Sequence, residues 1–115
     1  MIKYNLYMSS CSDINSKMIN HLDEVSAAHV AELFSAFSDA SRVKILFAIL
    51  EHEMNITALA AVVGVSESAI SHHMRGLRQM HIVRARRNGK EVFYSIVDPH
   101  LIAIFQQGVK HIQEK

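Results

Sequence analysis

Apolar residues recur along the first half of the chain at helical spacing. Within residues 30–37, and again within residues 43–50, they fall at i, i+3, i+4 and i+7, which lie on one face of a helix. The pair Ser38-Asp39 can cap the second of these helices. Residues 56–63 predict a third, shorter helix that Gly64 can close. The three predicted stripes are Val30, Leu33, Phe34 and Phe37; Val43, Leu46, Phe47 and Leu50; and Ile56, Leu59, Ala60 and Val63.

A further helix and a β-hairpin are predicted next. Ser66 can N-cap a helix that runs to about Met80. Two β-rich segments, residues 82–87 and 91–97, follow it, and the Asn88-Gly89 pair between them is the strongest short hairpin signal. Helix, turn, helix and hairpin in this order predict a winged helix-turn-helix. The predicted fold class is therefore mainly α with a small β-hairpin (α+β).

The single cysteine and the apolar runs indicate where the protein works. Because Cys11 is the one cysteine in the sequence, neither an internal disulfide nor a paired-cysteine motif is possible, and a reducing setting is expected. The longest apolar run, residues 56–65, is too short to span a membrane. The first residues lack the continuous apolar stretch of a signal peptide. We expect a cytoplasmic protein with no membrane partner.

Charge is distributed unevenly along the chain. The 115 residues carry 12 basic and 11 acidic groups, for a net charge of +1. Residues 1–67 hold 4 basic and 8 acidic groups, whereas residues 68–90 hold 6 basic groups and no acidic one. The near-neutral total therefore conceals one basic segment, which coincides with the helix after Ser66 and the hairpin.

The helix after Ser66 has one apolar and one polar face. At 100° per residue, Ile70, Met74 and Leu77 share a face, and His81, on the same face, is predicted to be a core histidine. The opposite face and the hairpin carry donors that could reach base edges or phosphates of duplex DNA. An ordinary solvated face with charged edge strands is the alternative. The candidate DNA-contacting residues are Ser68, Ser71, His72, Arg75, Arg78, Gln79, Arg86, Arg87 and Lys90; His73 and Arg84 lie on the same two elements.

The last predicted helix carries candidate metal ligands. The pair Asp98-Pro99 can open it, since aspartate suits the N-cap and proline the first turn. His100 and His111 share a helical face but lie about 16 Å apart along the axis, so one chain cannot bring both to one ion. Two copies packed antiparallel would bring the start of one helix beside the end of the other and form two identical sites. The candidate ligands are Asp98, His100, His111 and Glu114.

This donor set suits some metals better than others. Two imidazoles and two carboxylates fit tetrahedral Zn(II), or Co(II), better than thiol-seeking ions. Apolar side chains along the same helix would give it a surface to bury against its twin. The alternative is that Asp98 is only an N-cap and that His111 is only a charge near a helix C-terminus, where the dipole favours cations.

A resemblance to a known family rests on three stretches covering about residues 25–115: FSAFSDASRVKILFAIL, VGVSESAISHHMRGLRQMHIVRARRNGKEVFYSI and DPHLIAIFQQGVKHIQE. They are similar to the ArsR/SmtB family of metal-responsive repressors, and closely to its zinc-sensing SmtB-type branch. In the third stretch, Asp98-x-His100 followed by His111-x-x-Glu114 matches the family's last-helix zinc motif. The resemblance implies a homodimer, joined through its terminal helices, that represses from an inverted-repeat operator. It also implies that Zn(II) fills intersubunit sites and lowers DNA affinity.

One difference from the family's thiolate-type members reduces the range of metals expected to bind. Those members carry a Cys-Val-Cys-like motif where residues 51–56 here read EHEMNI, so an arsenic, lead or cadmium thiolate site is not expected. Cys11 is expected to be a bystander. His21, His29 and His52 are expected to be surface or packing residues, although a nickel or cobalt sensor could recruit one of them.

These patterns predict the organisation and the function together. We expect a flexible arm at residues 1–13 and one winged helix-turn-helix domain at 14–115, with its turn-helix at 55–80, its wing at 82–97 and its dimer and metal helix at 98–115. A regulator of the same fold that responds to Ni(II), Co(II), a redox signal or no metal is the main alternative, and a non-regulatory interaction module is another. An enzyme or a small-molecule substrate is not expected, since no catalytic motif is present.

Overall fold

Helices and one small sheet make up the part of the chain that can be described. The computed structural model describes residues 22–114, and the boundary between two compact units falls between Phe34 and Ser35. The predicted fold class is confirmed: the chain is mainly α with a winged helix-turn-helix in its second unit. The elements in chain order are α1 (Glu24–Ser35), α2 (Ala40–Ile49), β1 (Met54–Asn55), α3 (Ile56–Val63), α4 (Glu67–Gln79), β2 (Arg84–Asn88), β3 (Glu91–Ser95) and α5 (Pro99–Gln113).

The predicted helix caps are confirmed, and each has a local cause. Asp39, Ser66 and Asp98 are N-caps whose side-chain oxygens accept a backbone N–H at 3.1, 3.0 and 2.8 Å. Such a cap stabilises its helix by about 1 kcal/mol. Asn55 caps α3 in the same way at 2.8 Å, although the sequence had not singled it out. Gly64 ends α3 with a φ of 84°, a left-handed conformation in which glycine has no steric cost.

The wing is a three-stranded antiparallel sheet in the order β1-β3-β2. The predicted turn is displaced by one residue, because Asn88 still pairs with Glu91 and the two-residue loop is Gly89-Lys90. Gly89 has a φ of 67°, which suits the first loop position of a tight hairpin. Strand β1 was not predicted, since two residues are too short to show a periodicity. Its Met54 pairs with Tyr94 of β3.

The core of the second unit lies under α4, whose apolar face is as predicted. Ile70 and Leu77 are fully buried and Met74 is 1% exposed. Helix α3 packs directly against α4. The other buried apolar residues of this unit are Ala36, Ile45, Leu46, Ile49, Leu59, Val63, Ile82, Val83, Tyr94, Ile96 and Phe105.

The stripe predicted on α2 is wrong in part. Its core face is formed by Ile45, Leu46 and Ile49, whereas Phe47 is 55% exposed. Val43 and Phe47 instead line an open apolar groove of about 390 Å³ with α3 and α5. The difference arises because apolar residues occupy seven of the ten positions of this helix, so more than one face satisfies the helical spacing.

His81 is not the predicted core histidine. It is exposed and has a φ of 61°, because α4 ends at Gln79 and the helical spacing stops there. The N–H of His81 donates to the carbonyl of Arg78 and the N–H of Ile82 to that of Leu77, both at 2.9 Å. This is the Schellman arrangement, in which the residue after the C-cap is left-handed and the next one packs back on the helix.

Helix α1 lies in the first unit up to Phe34, and none of its residues is buried. The predicted stripe over residues 30–37 is interrupted because the helix ends at Ser35, and Phe34 is 54% exposed. Within residues 22–114, no helix has both the length and the apolar character needed to cross a membrane. The predicted arm, Cys11 and His21 lie outside the described residues.

Candidate nucleic-acid interface and metal-ligand helix

The outer face of α4 is polar and its inner face is apolar. Five of the six predicted DNA-contacting residues on this helix are exposed and Ser71 is half-buried. Because Ile70, Met74 and Leu77 fix the inner face in the core, the opposite face must point outward. The exposed residues are Ser68, His72, Arg75, Arg78 and Gln79.

A groove of about 510 Å³ separates α4 from the sheet. Ser71, Arg75, Arg78 and Gln79 line it from the helix, and Tyr94 of β3 lines it from the sheet. Sequence reasoning missed Tyr94. The signal was the alternation along β3, since Tyr94 and Ile96 are buried and share one face of the strand.

The cations of the wing divide between the two faces of the sheet. Residues directly opposite each other in an antiparallel pair lie on the same face. Arg87 pairs with Val92, two residues from Tyr94, and so lies on the face that carries Tyr94. Arg84 and Arg86 pair with Ser95 and Phe93 and lie on the other face. Lys90 is exposed in the loop.

Arg86 already has an acidic partner. Its Nε lies 3.1 and 3.2 Å from the two carboxylate oxygens of Glu53, and its guanidinium carbon lies 5.2 Å from the ring centroid of Phe93. The hydrogen bonds from Arg86 hold the pKa of the Glu53 carboxyl below its ordinary value. The pair joins the wing to the segment before β1. The sequence could not indicate it, since its members are 33 residues apart.

His73 faces α2 rather than the outer face of α4. Its side chain is 19% exposed, and its Nδ1 accepts a hydrogen bond from Nε of Arg42 at 3.3 Å. Its Nε2 lies 3.8 Å from the carboxylate of Asp39. The Arg42 side chain crosses α4 at Gly76, where a Cβ would come within 3.1 Å of its Nη2. His72, by contrast, is exposed and remains on the candidate DNA-facing surface.

Replacing Arg42 by alanine is expected to lower the stability of the fold. The variant loses the bond to His73, and a typical hydrogen bond contributes about 1 kcal/mol. In a domain of this size that corresponds to a fall in Tm of about 5 °C. Thermal unfolding at fixed protein concentration measures it, with the exposed Arg75→Ala as the control that should change Tm far less. Equal Tm values for wild type and Arg42→Ala would contradict the contact.

At the start of α5, Asp98 and His100 form a local pair. Oδ1 of Asp98 accepts the backbone N–H of His100 at 2.8 Å and lies 3.1 Å from its Nδ1. The backbone N–H of His100, together with its ring, holds the pKa of Asp98 below its ordinary value. The His100 side chain is 90% exposed and that of Asp98 is 49% exposed. Both donors are therefore accessible from outside the chain.

At the other end of the helix lie His111 and Glu114, which are also exposed. Nζ of Lys110 lies 3.8 Å from a carboxylate oxygen of Glu114, a surface pair worth little energy. In residues 22–114 of a single chain, no three histidine, cysteine, aspartate or glutamate side chains are grouped closely enough to hold a metal ion. One chain thus presents the four predicted ligands as two separate pairs. Their nitrogen and carboxylate donors fit a borderline divalent ion such as Zn(II).

Comparison with known proteins identifies regulators with related sequences. The family described as "Bacterial regulatory protein, arsR family" matches residues 39–85, from the α2 cap to the second residue of β2. A transcriptional repressor SmtB homolog from Synechocystis sp. is 41% identical over 88 residues, which are 76% of this chain and 67% of the relative. A cadmium resistance transcriptional regulatory protein CadC homolog from Staphylococcus aureus is 36% identical over 74% of this chain and 71% of the relative.

The fold is shared with a solved regulator. The crystal structure of the AntR antimony-specific transcriptional repressor superposes with a TM-score of 0.74 at 30% identity, over 82% of this chain and 86% of that chain. The similarity covers more of the chain than the matched family region, and therefore includes elements outside residues 39–85.

Proposed function

This chain belongs to the ArsR family of bacterial regulatory proteins, and from that membership we propose that it is a homodimeric repressor whose operator binding is weakened by Zn(II).

The DNA-binding part of the proposal rests on the outer face of α4. Its exposed Arg75 and Gln79 project away from a core that fixes the other side of the helix, as a helix in a major groove requires. Arginine reads guanine and glutamine reads adenine through paired hydrogen bonds. On the wing, we assign Arg87 and Lys90 to phosphates. Arg86 already forms an ion pair with Glu53, and we propose that it holds the wing in place.

The metal-sensing part of the proposal rests on one observation about α5. Two exposed donor pairs lie at opposite ends of a single helix, too far apart to serve one ion within one chain. An antiparallel pair of α5 helices would bring Asp98 and His100 of one subunit to His111 and Glu114 of the other. When bound there, Zn(II) would supply a tetrahedral cross-link between the subunits. Ile112, which is 64% exposed, offers apolar surface for such a dimer.

Coupling between the two sites is thermodynamic. If metal lowers DNA affinity by some factor, DNA lowers metal affinity by the same factor, and such couplings are typically about 1–3 kcal/mol. We propose His111 as the relay. A ligating imidazole keeps a second nitrogen free for a hydrogen bond to the surrounding protein, which can favour one arrangement of the dimer.

One titration tests the whole proposal. The wild-type protein first selects its operator from a random duplex library, and fluorescence anisotropy then follows release of that operator as metal is added. We expect release by Zn(II) at two ions per dimer. Parallel titrations with Co(II), Ni(II), Cd(II) and an oxidant separate this function from regulators of the same fold that sense another signal. Release by none of them would contradict the sensing role, and no selected duplex would contradict DNA binding.

Replacing Arg87 or Lys90 by alanine is expected to weaken operator binding on every sequence. Each phosphate contact removed should lower the slope of log K against log salt by about 1. Binding measured at several salt concentrations gives this slope. Arg84→Ala is the matched control, because it removes the same charge from the opposite face of the sheet. Equal slopes for Arg87→Ala and Arg84→Ala would remove the assigned face of the wing from the interface.

A further inference from the structure

Tyr94 is an almost buried residue beside the candidate DNA surface. It is 7% exposed and lies at the centre of the sheet, where it pairs with Met54 on one side and Ala85 on the other. It borders the groove of about 510 Å³ beneath Arg75 and Arg78 of α4. It also borders a smaller opening of about 240 Å³ beside Lys90. Both openings are therefore next to cations proposed to contact DNA.

The hydroxyl of Tyr94 is available to a partner from outside the chain. Nothing within residues 22–114 forms a hydrogen bond with it. In the same part of the chain, no fully buried side-chain oxygen or nitrogen lacks a partner, so this hydroxyl must reach an opening. A buried tyrosine usually finds a hydrogen-bond partner for its hydroxyl. The ring of Tyr94 is thus packed in the core, and its hydroxyl reaches the surface.

The location of the groove indicates which part of a duplex would meet this donor. When a recognition helix lies in a major groove and a wing lies beside it, the sugar-phosphate backbone that divides the grooves passes between the two. The groove between α4 and the sheet occupies that place. Arg75 and Arg78 line it, and their positive charge favours a phosphate there.

We propose that the Tyr94 hydroxyl donates a hydrogen bond to a phosphate oxygen of the operator backbone, at the floor of the groove between α4 and the wing. This inference rests on the proposed DNA binding and adds a contact that carries no charge. A neutral donor releases no counterion from DNA. Its loss therefore weakens binding without changing the salt slope, whereas the loss of Arg87 changes both.

The test compares Tyr94→Phe with the wild type on the selected operator and on a random duplex. The variant keeps the buried ring, so its Tm should match that of the wild type. We expect about tenfold weaker binding, as for a hydrogen bond to a charged group, with the same salt slope and the same loss on both duplexes. Ser95→Ala is the control, because it removes a hydroxyl from the opposite face of β3 and should bind as the wild type does.

Each other outcome contradicts a definite part of the inference. Equal affinities of Tyr94→Phe and wild type would overturn it and leave the proposed function standing. A loss confined to the selected operator would show a base contact and overturn the assignment to phosphate. A fall in Tm would show that the hydroxyl bonds within the protein. A wild-type protein that binds no duplex would overturn the proposed function itself.

Discussion

Replacing His111 by alanine should leave operator binding intact and abolish its response to metal. His111 lies exposed near the end of α5 and outside the core, and it is not among the residues proposed to contact DNA, so we expect the variant to fold and to bind operator. Removing one of four ligands, and with it the proposed relay, should eliminate a coupling of about 1–3 kcal/mol, or about 5–150-fold in operator affinity. Operator anisotropy with increasing Zn(II) measures this directly.

Two further variants sharpen this experiment. Asp98→Asn removes the carboxylate but retains an N-cap as good as aspartate, so it should also bind operator and ignore metal, with little change in Tm. His52→Ala removes an exposed histidine that lies outside the proposed site and should respond as the wild type does. If His111→Ala or Asp98→Asn released operator at the wild-type zinc concentration, the ligand assignment would be wrong.

Replacing Arg75 by alanine should both weaken operator binding and relax its sequence preference. Arg75 is exposed on the face of α4 opposite Ile70 and lines the groove toward the sheet. A bidentate arginine–guanine contact is worth about 1–3 kcal/mol of discrimination against other bases. The variant should therefore bind operators that differ at one particular position of each half-site with equal affinity, whereas the wild type should distinguish them. A panel of operators with single base-pair changes measures this. Arg87→Ala, assigned to phosphate, should weaken all members of the panel equally. An Arg75→Ala variant with unchanged selectivity would exclude direct readout by this residue.

The elements that could be predicted from sequence are those determined by neighbouring residues. The N-caps at Asp39, Ser66 and Asp98 each depend on a side chain and a backbone N–H two or three positions later. The inner face of α4 was predictable because polar residues separate its apolar ones. On α2, apolar residues on nearly all sides left the core face undetermined until α3 and α5 were in place.

Contacts between distant segments could not be predicted. The pairs Arg86–Glu53 and Arg42–His73 join residues 33 and 31 positions apart. Both show that an arginine or a histidine of the basic segment can have a partner within the protein. Tyr94 was missed for a related reason, since its neighbours on α4 are brought to it only by the packed fold.

The double role proposed for Asp98 affects how metal sensing could be lost in evolution. The Asp98 side chain caps the last helix and is also one of the four proposed metal ligands. Asparagine or serine can cap a helix as well as aspartate does. Drift at this position can therefore silence a sensor without unfolding it. Such a variant would still bind its operator but would no longer be released by metal. A single base change, from an aspartate to an asparagine codon, would produce it. We therefore expect a member with asparagine or serine at this cap to keep its fold and to lose the response to metal.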